Sequence, residues 1–496
     1  MSAIQNLFDR LVHLDVVTIL EIGASALLLA HILPYVVDPS GIRSYPGPLA
    51  AKLSHVWLGW IAARGRINTA VHEEHQKHGP FVRIAPNHVS IAHPSALQTV
   101  YGHGGGALKS DFYSKMVQFR GTLTVFTTRT REDHTRKRKM LAHTLSQKSV
   151  LEFEPIILEY QRILIDHWDR MCADAAKGLG GSVGQCNWYA RDGRAFFDCL
   201  PWFNYQAFDI IGDLSFGSSF GMTAGAKDTT EIAKSQDDAL DSFGIEKAQL
   251  EYETIAAVKT VNDRSTYAIS IAVLPNWWVP MVRRLPWYSS GKNAMEAIAT
   301  MAVTAVAKRL RTPSIRNDLL TKLLEGQDEK GNKMGSLELS AEAMTFLIAG
   351  SDTTSNSAGA ITYYLAHNQK AQAKLQRELD EALGAPTKND QDEDSRAIGY
   401  DQLKNLPYLQ DTINEGLRLH STVGVGLPRV VPEGGLTILG KTFTPGTIVS
   451  VPTYTVHRDK AVWGEDADVF NPDRWTQGDK AAMQKAFAPF SIGSRY

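Results

Sequence analysis

Cysteine is scarce in this 496-residue chain: Cys172, Cys186 and Cys199 are the whole complement. Three thiols cannot build a disulfide scaffold, and none stands in the C-x-x-C or Cys/His spacing of a zinc site. A reducing compartment with ordinary thiols follows. Net charge is also nearly absent, with 52 Lys+Arg against 53 Asp+Glu and a balance of -1. No global positive field is available to hold a nucleic acid, so that class of partner is excluded. Hydrophobic residues at 43% and charged residues at 21% leave no room for wholesale disorder.

One long apolar run is present. Val16 to Val37 is long enough to cross a bilayer core as a helix, although Glu21, His31 and Pro34 oppose it. Only Arg10 precedes the run, while Arg43, Lys52, Arg64 and Arg66 follow it, which places the rest of the chain in the cytosol. A cleaved signal fits less well, for want of a charged leader. A buried or surface amphipathic helix is the alternative. Tyr45-Pro46-Gly47-Pro48 then forms a stiff elbow. The expected division is a lead (1–15), an anchor (16–37), an elbow (38–48) and one catalytic body (49–496).

Within the body, Phe81–Ala85 and His88–Ile91 predict a hairpin around Pro86-Asn87. The glycines of 102–106 and 178–184 predict loops. Val150 to Leu324 is mostly helical in period, with Met295, Ile298, Ala302, Val306 and Leu310 on one face. Leu337 to Leu365 predicts one long helix opened by Ser340 or a nearby cap. Lys388–Arg396 is a solvated acidic loop, and Leu436–Val451 is strand-rich with a turn at Pro445-Gly446. The fold class is mainly α with a minor β-sheet element.

Four motifs carry chemistry. Ala349-Gly350-Ser351-Asp352-Thr353-Thr354 sets an acid and two hydroxyls inside an apolar helix, where glycine and threonine should loosen the turn. Close helix crossing is the plainer explanation of the small residues. Glu415 and Arg418 share a helix face at i,i+3, and Phe470-Asn471-Pro472-Asp473-Arg474-Trp475 offers a second arginine. His134 and Arg138 share a face at i,i+4, with Arg136 and Lys139 pointing away. The chain ends in Phe490-Ser491-Ile492-Gly493-Ser494-Arg495-Tyr496.

Together, in this order, the four elements resemble the cytochrome P-450 family of haem-thiolate monooxygenases. Segments such as Gly79–Ile91, Leu108–Tyr113 and Ser149–Pro155 resemble its fungal benzoate para-hydroxylase branch. The resemblance implies haem b, electrons from NADPH through a flavoprotein reductase, and an endoplasmic reticulum membrane location. It implies that Thr353 positions dioxygen and a water and that Asp352 relays protons. It makes Arg138, Arg429 and Arg495 the cations for the haem propionates, adds His134 as a further donor, and makes Phe490 and Gly493 part of the proximal loop. Glu415, Arg418 and Arg474 become a structural lock beneath the haem. Arg136, Lys137 and Lys139 become a docking face for an acidic reductase. Tyr113, Arg120 and Thr122 are candidates for binding a substrate carboxylate.

In the family the iron-ligating cysteine directly follows the position of Tyr496, so no metal ligand is expected among the residues present. The expectation is a C-terminally truncated form of the fold, with two functional readings. One is a monooxygenase acting on a small aromatic acid, and the other is a catalytically silent fold without its thiolate. A haem isomerase or dehydratase would have no use for Asp352 and Thr353.

Overall fold

The computed structural model describes residues 15–116, 119–142, 146–311, 318–384 and 397–493. The expected acidic loop (388–396), Arg10 and Arg495 lie outside them.

The apolar run is a helix with the expected limits, α1 (Val16–Val37), capped by the Asp15 side chain on the Thr18 amide. It is long and apolar enough to cross a membrane, and its apolar side chains are almost all uncovered. Two residues that sit poorly in hydrocarbon face the body instead. His31 packs its ring 5.5 Å from Trp278, and Tyr35 lies 5.6 Å from the Arg83 guanidinium. The elbow then passes close under the first strand. At Gly47 (φ 150°) a Cβ would meet the Arg83 carbonyl at 2.3 Å, so only glycine fits.

Five strands form the main sheet in the order β1-β2-β12-β9-β3. β1 (Phe81–Ala85) and β2 (His88–Ile91) make the expected hairpin, and β3 (Leu108–Lys109) forms the far edge. The pairs are antiparallel except β2 with β12, which run parallel with Ile448 opposite His88.

The helical bulk is built from α2 (Phe112–Met116), α3 (Arg131–Ala142), α4 (Glu154–Ala176), α5 (Leu200–Phe216), α6 (Ala257–Ala272), α7 (Ser289–Arg311), α8 (Ser336–His367) and α9 (Pro407–Leu419). The stripe foreseen on α7 is there, with Ile298, Ala302 and Val306 fully buried. α4 to α8 close around one apolar cluster that includes Trp202, Phe208, Ile298, Met344 and Leu347. Apolar spacing of three and four residues drives that arrangement.

Three expectations change. α8 opens at Gly335 without a side-chain cap, and Ser340 is buried one turn inside the helix. Residues 178–184 are not all loop: β4 (Gly181–Val183) pairs with β5 (Cys186–Arg191), which pairs with β6 (Arg194–Phe197). β7 (Thr230–Ala233) and β8 (Tyr252–Ile255) form a further hairpin inside the stretch taken as helical. The strand-rich C-terminal patch divides. β9 (Arg429–Val430) and β12 (Ile448–Ser450) join the main sheet, while β10 (Leu436–Ile438) and β11 (Lys441–Phe443) form a hairpin of their own.

Candidate active site

α8 runs 32 residues, roughly 48 Å at 1.5 Å per residue, and is unbroken through the Ala349–Thr354 motif. The helix keeps its α-helical course through the expected loosening, with two of the motif's hydroxyls bonded back to the preceding turn. Ser351 Oγ donates to the Leu347 carbonyl and Thr353 Oγ1 to the Ala349 carbonyl, both at 2.7 Å. Gly350 has a separate task. A Cβ there would lie 2.6 Å from Ile211 of α5, so the glycine allows the two helices to cross.

The Asp352 carboxylate is held by Asn356, whose Nδ2 donates to Oδ1 at 2.9 Å and to the Asp352 carbonyl at 2.8 Å. Burial pushes this carboxyl above its ordinary range, while Asn356 and the charge of Arg264 pull it back. With its own proton committed to Ala349, the Thr353 oxygen is left as an acceptor. Thr354 beside it is exposed, although the motif is at mid-helix, so this side of α8 faces open space.

Beneath α8 lies the lock formed on α9. Glu415 and Arg418, both with no exposure, pair through two parallel bonds of 2.8 Å. Arg474 Nε reaches Glu415 Oε1 at 2.9 Å, Trp475 Nε1 reaches Oε2 at 3.1 Å, and the Asn471 amide adds a fifth bond. The expected trio is therefore assembled, and it extends further than the sequence reading reached. Arg418 Nη1 donates to the carbonyls of His457 and Ala467 at 2.6 Å. The His457 Nε2 accepts the Ala488 amide at 3.0 Å, which fixes the proton on Nδ1, facing Ser421 Oγ and the Arg418 carbonyl. Burial drops the His457 pKa to about 3, so the ring is neutral. One continuous network thus runs from α9 to the entrance of the terminal loop.

That loop is shaped by its backbone. Ser491 and Gly493 have φ of 62° and 85°, and a Cβ on Gly493 would meet the Tyr101 carbonyl at 1.9 Å. Phe490 is 72% exposed, a large ring left without cover. Arg429, on β9, is buried; it donates to the Tyr113 hydroxyl and stacks over the Tyr101 and Tyr113 rings. No carboxylate pairs with it among the described residues. A buried guanidinium in that state invites an anion.

α3 separates its residues differently from the expectation. His134 is buried and Arg138 is exposed. Lys137 is buried against Glu338 and Glu342 of α8, and Arg136 is paired with Asp133 and Glu338. Lys139 alone of the proposed docking trio stays well exposed, against Glu329. The three do not make one free basic face, because α8 supplies the opposing carboxylates. The carboxylate candidates also scatter. Arg120 pairs with Asp237 on the surface and Thr122 sits in the same turn, while Tyr113 is buried on Arg429.

An enclosed cavity of about 260 Å³ lies between the main sheet, α2 and the end of α6, lined by His55, His88, Asp111, Phe112, Lys115 and Ser450 among others. Asp352 and Thr353 are not on its walls, and Lys115 is occupied by Asp111 and the Leu274 carbonyl. Sequence reasoning missed one further cation. Arg264 of α6 is 3% exposed, donates one bond (Nη2 to the Met116 carbonyl, 2.6 Å) and leaves Nε buried without a partner. Burial lowers its pKa to about 10 against the pull of Asp352. The signal was available: Val261, Arg264, Ala268 and Ile271 fall on one helical stripe, and the other three are apolar and buried.

Comparison with known proteins places these features. The chain matches the family model for cytochrome P450 over residues 46–496. It is 41% identical over 483 residues to benzoate 4-monooxygenase bphA of Aspergillus niger, covering 96% of this chain and 86% of that one. It is 28% identical to cytochrome P450 monooxygenase gsfF of Penicillium aethiopicum (90% and 81% covered) and to a pisatin demethylase of Fusarium vanettenii (92% and 79%).

Proposed function

The chain belongs to the cytochrome P450 family of monooxygenases, and on that premise we propose that it inserts one atom of O2 at the para position of benzoate or a closely related aromatic acid. The observation that carries the substrate class is the 41% identity to a benzoate 4-monooxygenase, sustained over 96% of the chain.

The residues present fit a haem. Arg429 is a buried cation without a carboxylate partner among the described residues, Arg138 is an exposed arginine on α3, and the Phe490–Gly493 loop leaves an uncovered aromatic ring beside a glycine where a Cβ would not fit. Arg138 and Arg429 would take the propionates, with His134 as a further donor, and Phe490 and Gly493 would belong to the proximal loop. Arg495 has the same assignment by family pattern and lies outside the described residues, as does the position of the thiolate ligand. Bound haem supplies oxygen activation, using electrons from NADPH through a flavoprotein reductase.

The chain's own residues do the rest. Asp352, raised by burial and steadied by Asn356, is a proton carrier at its carboxylate oxygens. Thr353 Oγ1, donating to Ala349, accepts a proton-bearing partner on its open side. The Glu415–Arg418–Arg474 lock, through His457, holds the approach to the terminal loop rigid. α1 is the membrane anchor, holding the body on the cytosolic face of the endoplasmic reticulum. Of the docking trio foreseen from the sequence, Lys139 on α3 stays exposed, beside Glu329, to offer positive charge to the reductase.

A substrate panel tests the assignment. Full-length haem-containing protein with reductase should oxidise NADPH in response to benzoate and give 4-hydroxybenzoate. Toluene and benzamide should give little. Preference for the neutral compounds would contradict the acid-substrate assignment.

A further inference from the structure

A para-hydroxylase of an aromatic acid must hold a carboxylate at the end of the molecule remote from the reacting carbon. Burying that charge is costly unless a cation meets it. Of the candidates foreseen from sequence, Arg120 is committed to Asp237 and Tyr113 to Arg429, and Thr122 carries no charge; Lys115, on the cavity wall, is paired with Asp111.

Arg264 is in a different state. Its guanidinium has five N–H donors, and one hydrogen bond uses them among the described residues. Nε is buried and unpartnered. Val261, one turn before it on α6, shares an apolar cluster with Met344 and Leu347 of α8, which precede Asp352 on that helix, and the Asp352 charge acts on the guanidinium against burial. Its surroundings are apolar. Met116, whose carbonyl it binds, and Phe126 each pack against two apolar clusters, one with Val261, Met344 and Leu347 and one with Phe112 and Ala272. A buried guanidinium with Nε unpartnered and Nη2 on one carbonyl, set among apolar side chains, suits a flat acid: the carboxylate takes the open donors, and the ring takes the apolar surroundings.

We infer that Arg264 is the side chain that recognises the substrate carboxylate, an inference that rests on the function proposed above. The guanidinium fork accounts for specificity, since a neutral ring would leave the buried charge unmet.

Calorimetric binding of benzoate and of benzamide to the full-length haem-containing protein tests this, with Arg264→Gln and Arg264→Lys compared to wild type. Arg264→Gln should weaken benzoate roughly 10- to 100-fold, the worth of a charge-assisted buried bond. Benzamide binding should change by less than about threefold by the same reasoning, which also reports that the variant is folded. Arg264→Lys keeps the charge without the fork and should fall between. Equal benzoate affinity in wild type and Arg264→Gln would overturn the inference while leaving the proposed function intact. Loss of both ligands in both variants would assign Arg264 a structural role and overturn it as well. A wild type that ignores benzoate would instead defeat the proposed function, and the inference with it.

Discussion

At Thr353 the hydroxyl proton goes to the Ala349 carbonyl, so the residue's contribution is a fixed acceptor next to a buried acid. Removing it should leave electron flow and disturb proton placement. Thr353→Ala should consume NADPH at a rate near wild type while product formed per NADPH falls several-fold, measured by paired absorbance and chromatography. Unchanged coupling would take Thr353 out of the relay. Glu415 is a second residue with a sharp expectation. Its carboxylate accepts five hydrogen bonds and neutralises two buried arginines. Glu415→Gln strands Arg418, while Arg474 keeps Asp466, and should cost about 3–5 kcal/mol in denaturant unfolding, the usual penalty for halving a buried pair. A loss under about 1 kcal/mol would show the arginines re-paired. Thr353 stood out in the sequence because an acid and hydroxyls are odd inside an apolar helix, and Glu415 because Arg418 shares its face at i,i+3 with a second arginine, Arg474, downstream. Arg264 and His457 did not, since a single charge or imidazole in a helical window looks like solvated surface until its stripe or its partner is known. The partners of Lys137, Glu338 and Glu342, lie about 200 positions away, beyond any local pattern.

Among the elements, α8 organises the rest, and glycines set how closely others approach it. Gly350 admits Ile211 of α5, and Gly416 of α9 would place a Cβ 2.4 Å from Ile361 of α8. Gly350→Ala should therefore destabilise by about 1–3 kcal/mol, visible as a lowered melting temperature. No change would mean that the α5–α8 crossing relaxes freely. Strong periodicity made the limits of α1 and α8 readable to within a residue or two, and it gave the buried face of α7. The β4–β5–β6 sheet escaped, although Asp192-Gly193, with φ of 50° and 70°, is a good two-residue hairpin signal. Burial alternates along both strands, but the exposed face carries Tyr189 and Phe196, so the sequence itself lacks the apolar–polar alternation that marks a strand. The opening of α8 was misplaced because Gly335 caps it with backbone alone, while Ser340 offered a side chain that the helix does not use.

Across the whole molecule, buried imidazoles set the response to acid. His75, His88 and His457 have pKa values lowered by burial to about 4, 3 and 3. Each binds a proton more readily unfolded than folded, so its contribution is complete above pH 6.5 and lost as pH falls. The rate is up to about 1.4 kcal/mol per pH unit for each. Glu342, raised by burial to about 7, has the opposite sign: its contribution is lost as pH rises from 4.5 through 7. Three groups outweigh one, and the melting temperature should drop between pH 6.5 and 5. Glu342→Gln, which removes the opposing group, should steepen that drop; a flat profile would contradict the neutral, buried assignment of the histidines.

By the proposed function, this family fold, with Asp352 and Thr353 on α8, puts one oxygen atom of O2 into an aromatic acid. Turnover of benzoate under ¹⁸O2 in the full-length haem-containing protein with its reductase measures that directly. One ¹⁸O atom should appear in the product, at the para hydroxyl, with none taken from water. Product carrying unlabelled oxygen, or benzoate returned unchanged while NADPH is consumed, would contradict it.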